Sequence, residues 1–320
     1  MAQTGHPFCK YDVRCQGYGD SHSAQLFVGG AVGKDSGTVV RVTADVLVDA
    51  NAYVYTDCYI GDCYESAYLQ IGGITGGEYG IVKDCTAVFT CQLASNAGGD
   101  SESRRYTRIG GVAGCTYETS AVTGCYSTGS ISFQRVGRLA GSYEMAVGGI
   151  VGKVESGTVN DCASGLNITL QEGYGGTTGG IVGWVNVSGK VSNVAYYGTI
   201  RTENLAGGYF GGLAGQVNGW LTKGYFKGQI LSDSTNMADI AGRIDTSGSV
   251  SKTIGNGNTG VVCAAGSGSS IYNYLIGQDY DAQALLDREL LFDVLGLFEA
   301  DYWSIDEETG LYLIRFPERP

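Results

Sequence analysis

Residues 147–172, VGGIVGKVESGTVNDCASGLNITLQE, contain the pattern that decides the fold of this chain. A Gly-Gly-apolar opening, here Gly148-Gly149-Ile150, occurs six times, and a weaker seventh copy opens at Ala241-Gly242 with Arg243 at the apolar position. The six openings are Gly29-Gly30, Gly72-Gly73, Gly110-Gly111, Gly148-Gly149, Gly179-Gly180 and Gly211-Gly212. Such a period predicts that one structural unit is stacked on itself.

Three apolar columns follow each opening at nearly constant offsets. They read Val39, Val82, Val122, Val159, Val191, Leu221, Val250; then Val42, Cys85, Cys125, Cys162, Val194, Gly224, Thr253; then Val48, Cys91, Ile131, Ile168, Ile200, Ile230, Thr259. The columns predict that Cys85, Cys91, Cys125 and Cys162 are small buried hydrophobes. Cys115 shares a column with Lys34, Lys153, Trp184 and Gln216, which predicts that it faces outward.

Each repeat contains three short β-prone runs, which in the fourth copy are GGIVGKV, GTVNDC and GLNITL. The last run alternates Leu166, Ile168 and Leu170, as a strand with one buried face does. A unit of about thirty residues with three strands predicts an all-β fold, a parallel β-solenoid of about seven coils. The predicted domains are an N-terminal cap or irregular segment (1–27), the solenoid (28–271) and a C-terminal cap (272–320).

The C-terminal segment departs from the repeat pattern. DAQALLDRELLF, from Asp281, places Ala282, Leu285, Leu286 and Leu290 on one helical stripe. DYWSIDEETGLYLIRF then predicts a hairpin with Trp303, Ile305, Leu311 and Leu313 turned inward. A solenoid needs its open end covered, so we expect this helix and hairpin to form a cap.

Composition limits the partners and cofactors. The net charge of −12 and the isoelectric point near 4.6 argue against nucleic acid as a ligand. Mean hydropathy is near zero, and no apolar run is long enough to cross a bilayer. The only histidines are His6 and His22 and no CxxC pair occurs, so we expect neither a zinc site nor another cofactor. The first twenty residues lack an apolar signal-peptide core, so we expect the sequence to begin downstream of any targeting segment. Local disulfides between Cys58 and Cys63, and between Cys9 and Cys15, remain open.

The same residues argue against catalysis. A Ser-His or Cys-His pair cannot be formed within the repeats, because both histidines precede them. The two positions between the first and second apolar columns are expected to face outward on a strand, and they place Asp84 and Asp161 two repeats, about 10 Å, apart. That spacing exceeds the separations that retaining or inverting glycosidases need. We expect no enzyme, with a carbohydrate-active β-helix lyase or hydrolase as the alternative.

Insertions in the first repeats carry the binding prediction. They span residues 49–70, 92–108 and 132–146, and because all follow the same apolar column we expect them to emerge as loops along one edge. Tyr and Arg are common in them, and both residue types suit ligand contact. The predicted ligand-binding residues are Tyr53, Tyr59, Tyr64, Arg104, Arg105, Tyr106, Arg135 and Arg138. The competing interpretation is that these segments fold back over the sheet, with Arg paired to Glu102 or Glu144.

GGIVGKVESGTVNDCASG, GGLAGQVNGWLTKGYFKGQI and GCYSTGSI resemble the GLUG repeat, over roughly residues 28–320. WSIDEETGLYLI is similar to the tail that closes many such arrays, without its usual proline. The resemblance implies a right-handed parallel β-helix in an extracellular or cell-surface bacterial protein, and it carries over no catalytic residue. It favours a non-enzymatic adhesin that binds a host or neighbouring-cell glycan or protein. We expect this segment to be monomeric and not to insert into a membrane. The alternative within this class is a passive stalk or spacer of a larger surface protein.

Overall fold

The computed structural model describes residues 8–17, 23–56, 66–97, 104–136, 142–173, 176–205, 207–232, 234–255, 262–265, 270–272, 303–305 and 312–314. Every regular element within these ranges is a β-strand, which confirms the all-β prediction there. Strands that are equivalent in successive repeats pair in parallel and in register. The predicted helix after Asp281 and the disulfide between Cys58 and Cys63 lie outside the described residues.

The strands, numbered in chain order, form four columns. The first column is a seven-stranded sheet of β2 (Ser23–Gly29), β6 (Ser66–Gly72), β10 (Arg104–Gly110), β14 (Ser142–Gly148), β17 (Thr177–Gly179), β20 (Tyr209–Gly211) and β24 (Met237–Ala238). The second contains β3 (Val32–Asp35), β7 (Thr75–Glu78), β11 (Ala113–Thr116), β21 (Ala214–Val217), β25 (Ala241–Ile244) and β27 (Val262–Ala265).

The third column contains β4 (Thr38–Val40), β8 (Ile81–Lys83), β12 (Ala121–Thr123), β22 (Trp220–Phe226), β26 (Ser249–Ile254) and β28 (Ser270–Tyr272). Two long strands, β15 (Val151–Ser164) and β18 (Val182–Tyr196), run through the second and third columns without a break. The fourth column contains β1 (Phe8–Gly17), β5 (Thr43–Thr56), β9 (Thr86–Ala97), β13 (Tyr126–Val136), β16 (Asn167–Gly173), β19 (Thr199–Leu205) and β23 (Gln229–Leu231).

The observed register confirms the repeat, with two corrections. Val39 pairs with Val82, Val82 with Val122, and so on to Val250, as the first apolar column predicts. The seventh copy opens three residues earlier than predicted, because Ala238 pairs with Gly211 and Ala241 pairs with Ala214. Asp239 therefore stands in place of the second glycine, and Ile240 fills the apolar position given to Arg243. The second correction is that a fourth strand, before each Gly pair, belongs to the repeat.

Glycine allows the first two columns to lie almost in contact. A Cβ on Gly114 would stand 2.5 Å from the Gly76 carbonyl oxygen and 2.7 Å from the Ile71 nitrogen, both backbone atoms. Gly76 and Gly152 occupy the same position in neighbouring repeats, with equally close backbone atoms. The third glycine of the GGxxG pattern thus lets a second-column strand lie against the backbone of the repeat before.

Left-handed residues mark the corner between the third and fourth columns. Arg41, Asp84, Gly124, Asp161, Asn193, Lys223 and Lys252 all have φ between 50° and 63°. The prediction that this position faces outward on a strand is wrong for Asp84, Asp161 and Asn193, which are buried, whereas Lys252 is exposed within β26. The conformation costs a residue other than Gly, Asn or Asp about 1–2 kcal/mol.

The apolar columns form one continuous core. Cys85, Cys91, Cys125 and Cys162 are fully buried within it, as predicted, and are free thiols. Burial raises the pKa of Cys91 to about 12, so its thiol stays protonated at ordinary pH. These cysteines therefore act as small hydrophobic side chains.

The predicted C-terminal hairpin is present as β29 (Trp303–Ile305), antiparallel to β30 (Tyr312–Ile314). Strand β30 contacts β15, in the fourth repeat. The role of this segment as a plug over the last repeat stays a prediction.

Candidate functional site

The predicted ligand-binding residues fall into three groups. Three lie outside the described residues: Tyr59, Tyr64 and Arg138. Three lie on strands whose side chains are not described at those positions: Tyr53 in β5, Arg104 in β10 and Arg135 in β13. The last two are Arg105, which is only 2% exposed, and Tyr106, which is half-buried. The side chain of Arg105 is therefore buried.

Much of each insertion is strand, and the expectation of loops is wrong over those parts. Strands β5, β9 and β13 continue through residues 49–56, 92–97 and 132–136, whereas β16 and β19, which follow in the same column, have only seven residues each. The register pairs Tyr53 with Asn96 and Asn96 with Val136. The first repeats thus form a wider sheet than the last ones. Two of the predicted residues, Tyr53 and Arg135, lie near the C-terminal ends of its long strands.

A shallow depression of about 200 Å³ lies on the outer face of this wider sheet. Asp49, Gln92, Ser132 and Gln134 supply its polar side chains. The first three share one register column, because Asp49 pairs with Gln92 and Gln92 with Ser132. The depression therefore offers one carboxylate among neutral hydrogen-bonding groups.

A second feature occupies the space between the first and second columns, which we call the cation–aromatic cluster. It consists of Tyr68, Gln70, Tyr106, Arg108, Cys115, Tyr117, Glu144, Lys153, Glu155 and Trp184. The register explains it, since Tyr68, Tyr106 and Glu144 form one column of the first sheet while Cys115, Lys153 and Trp184 form a column of the facing strands. Successive repeats thus bring rings and charges together.

Arg108 holds this cluster together. Its Nη1 donates hydrogen bonds to the Tyr117 hydroxyl at 2.8 Å and to Cys115 Sγ at 3.1 Å. Its guanidinium lies 5.7 Å from the ring centre of Tyr68 and 5.6 Å from that of Tyr106, and the two rings stack with their centres 4.4 Å apart. Arg108 itself is only 4% exposed. A buried arginine stacked on aromatic rings is strongly fixed.

The charges of the cluster close into a network of two cations and two anions. Arg108 Nη2 lies 3.3 Å from Glu144 and 3.5 Å from Glu155, and Lys153 Nζ lies 3.0 Å from a carboxylate oxygen of each. Lys153 also lies over the ring of Trp184, 3.9 Å from its centre. The contact of Arg108 with Glu144 is of the kind that the fold-back interpretation predicts. The network neutralises itself, so its charges need no ligand.

Arg108, Cys115 and Tyr117 keep their ordinary protonation states. Desolvation alone would lower the pKa of Arg108, but the neighbouring Cys115, Tyr117, Glu144 and Glu155 raise it above its usual value. Burial raises the pKa of the Cys115 thiol and of the Tyr117 hydroxyl. Cys115 therefore stays a thiol, which is a poor nucleophile.

The cluster differs from what the sequence predicts. The column of Cys115 does point away from the main core, but Cys115 is fully buried beneath Arg108 and Tyr117. Arg108 was assigned to an insertion, although it stands only two residues before a Gly pair. Its register with Gln70 and Ala146 was the available signal, and it follows once the strand before each Gly pair is counted in the repeat.

Other site types can be assessed for the same part of the chain. Among the residues described, no group of three or more His, Cys, Asp or Glu side chains is placed to hold a metal ion. The described residues also include no helix that is long and apolar enough to cross a membrane. No protein-family model matches the chain, and neither a curated protein nor a solved structure matches it.

Proposed function

We propose that this chain is a non-enzymatic binding module, a right-handed β-solenoid of a bacterial surface protein, related to GLUG-repeat proteins and acting outside the cell as an adhesin. Parallel, in-register pairing of equivalent strands through seven repeats supports the solenoid. The GLUG relationship, and with it the handedness, the bacterial source and the extracellular location, rests on the sequence resemblance. The proposed state is a monomer without cofactor.

One observation carries the binding function. The cation–aromatic cluster is self-neutralised and holds the half-buried Tyr68 and Tyr106 rings stacked on each other, near the N-terminal ends of β6 and β10, the strands in which the first two insertions end. Fixed tyrosines provide contact area for a sugar ring or a protein side chain at low entropic cost. The proposed ligand is a glycan or a protein of the host or of a neighbouring cell, and the insertion residues Tyr59, Tyr64, Arg104 and Arg138 would contact it.

A glycan array followed by pull-down from surface-protein extracts tests this function. We expect a ligand whose binding falls at least about tenfold in Tyr106→Ala and in Arg138→Ala. Arg201→Ala, an exposed arginine of the fifth repeat, is the matched control and should bind like the wild type. Melting temperatures must accompany the measurements, since Tyr106 also stacks on Tyr68.

The passive stalk is the competing function. It would produce no ligand in either screen, or a ligand whose binding neither variant changes, and either result refutes the binding proposal. For the enzymatic alternative, Asp84 and Asp161 do not stand on adjacent strands, because Gly124 separates them in the corner column. Release of reducing or unsaturated sugar from a polysaccharide would overturn the non-enzymatic assignment.

A further inference from the structure

The third-column strands of the last three repeats carry a cluster of lysines. We define the lysine face as Lys190, Ser192, Trp220, Thr222, Lys223 and Lys252. The register brings these residues together on β18, β22 and β26, since Lys190 pairs with Trp220 and Ser192 with Thr222. Three lysines thus lie on one surface of a protein whose net charge is −12.

Two of these lysines occupy positions that are unfavourable for folding. Lys223 and Lys252 are left-handed, with φ of 53° and 51°, and their strands pair so that the two residues stand opposite each other. Like charges on neighbouring strands repel, and lysine gains nothing from a left-handed conformation. Two repeats earlier the same column holds Asp161 and Asn193, which tolerate that conformation and are joined by a 3.0 Å hydrogen bond. A local conflict of this kind is typical of a functional surface.

The lysines are not neutralised within the fold. In the part of the chain that the structure describes, the ion pairs involve Arg108, Lys153 and Arg243, and none involves a lysine of this face. Lys190 has an aromatic neighbour, since its Nζ lies 5.3 Å from the ring centre of Trp220. The face therefore presents uncompensated positive charge.

Trp220 and a row of hydroxyl groups narrow the ligand class. Trp220 is 49% exposed, an unusual state for so large an apolar ring. Beside it the Ser192 hydroxyl donates to Asn160 at 2.6 Å, and the Ser251 hydroxyl donates to Thr222 at 3.0 Å. This face combines an exposed ring, hydrogen-bonding hydroxyls and cations on neighbouring strands about 4.8 Å apart. Such a surface suits an extended polymer that is both hydroxylated and anionic.

We propose that the lysine face binds an acidic polysaccharide, whose carboxylate or sulfate groups contact Lys190, Lys223 and Lys252 while a sugar ring stacks on Trp220. Nucleic acid fits less well, because three cations on an acidic protein are fewer than the phosphate contacts that hold a duplex. This site is separate from the edge in the proposed function, so either can fail alone.

Binding to four polymers tests the proposal: polygalacturonate for carboxylate, dextran sulfate for sulfate, uncharged dextran, and a DNA duplex. We expect the wild type to bind at least one charged polymer and not dextran, with weaker binding when salt rises from about 50 to about 300 mM. The double variant Lys223→Gln/Lys252→Gln should lose about tenfold in affinity or more, and Trp220→Ala about fivefold. Lys227→Gln, a lysine of the same repeat outside this face, is the control and should stay within about twofold.

Stability provides a second readout. Lys223→Gly relieves both the left-handed strain and the repulsion from Lys252, so it should weaken polymer binding while raising the melting temperature. A fall in melting temperature together with the loss of binding would indicate a structural role and would overturn the proposal. The proposal also fails if neither charged polymer binds, if dextran or a DNA duplex binds as tightly, or if the double variant binds like the wild type.

Discussion

Replacing Glu78 by glutamine probes a carboxyl group that the fold buries without a cation. Glu78 is fully buried at the end of β7. It is in register with Asp35 in β3 of the repeat before and with Thr116 in β11 of the repeat after. Its Oε1 accepts a 2.6 Å hydrogen bond from the Gly80 N–H. Among the described residues its Oε2 has no hydrogen-bond partner. Later repeats place valine at this position, starting with Val154.

Burial raises the pKa of Glu78 from 4.5 to about 7, with the hydrogen bond from Gly80 acting in the opposite direction and the charge of Asp35 adding to the rise. Because the folded state binds this proton more tightly than the unfolded state, the free energy of unfolding falls as the pH rises between the two values. At about 1.4 kcal/mol for each pH unit, the gap between the two pKa values amounts to at most about 3.5 kcal/mol. Below about pH 4.5 the stabilisation is fully present, and above about pH 7 it is lost.

Urea unfolding followed by circular dichroism, at several values between about pH 4.5 and about pH 8, measures this dependence. Glu78→Gln keeps an oxygen for the Gly80 N–H and carries no charge, so most of the decline with pH should disappear and the variant should be the more stable protein at about pH 8. Glu203→Gln, an exposed carboxylate, is the control and should retain the wild-type profile. Parallel profiles for wild type and Glu78→Gln would refute the reasoning.

Three further substitutions probe packing. Arg108→Ala removes one cation of the closed network and leaves two carboxylates to a single lysine, which should destabilise the protein by about 3–5 kcal/mol and lower its melting temperature. Gly114→Ala forces a Cβ against backbone atoms at 2.5 Å and 2.7 Å, so we expect little folded protein by circular dichroism. Ile168→Asp places an unpaired charge in the core and should unfold the array, at a cost of several kcal/mol, roughly 3 or more, in a urea titration.

Each substitution has a matched control. Arg201→Ala removes an exposed arginine, and Gly37→Ala places a Cβ that meets nothing nearer than 3.6 Å, so both should change stability by less than about 0.5 kcal/mol. Asn167→Asp, next to Ile168 but exposed, should melt like the wild type. If any of the three variants proves as stable as its control, the packing described above is contradicted.

The sequence alone predicts those features of the fold that depend on the repeat period. The apolar columns from Val39 to Val250 and the buried cysteines follow from spacing alone, since side chains at equal positions of stacked strands must share one environment. The weakest copy was misplaced because Asp239 replaces a glycine, and the nearby Ala241-Gly242 pair imitates an opening. The sequence of this repeat alone does not show which of the two positions is the opening. Only the pairing of Ala238 with Gly211 identifies it.

The cation–aromatic cluster was not predicted because it depends on two strands that face each other. Arg108 and Cys115 are seven residues apart, on either side of a Gly pair, and their contact exists only because β10 and β11 face each other. Between them, Gly114 fits against backbone atoms of the repeat before. The sequence shows this glycine, but it does not show how closely the backbones of two repeats approach each other there. The left-handed corner at Lys223 and Lys252 was missed for a similar reason, since lysine is not a residue that predicts such a turn.

The third glycine of the GGxxG pattern also limits how such an array can change its length during evolution. Gly76, Gly114 and Gly152 each fit against the backbone of the repeat before, and the fit does not depend on which repeat that is. Loss or duplication of one whole unit by recombination restores these backbone contacts at the new junction. A single inserted residue between the Gly pair and the third glycine would instead move a side chain into that gap. Between these glycines, therefore, the array can change its length only in steps of a complete repeat, whereas insertions elsewhere in the repeat are free of this limit.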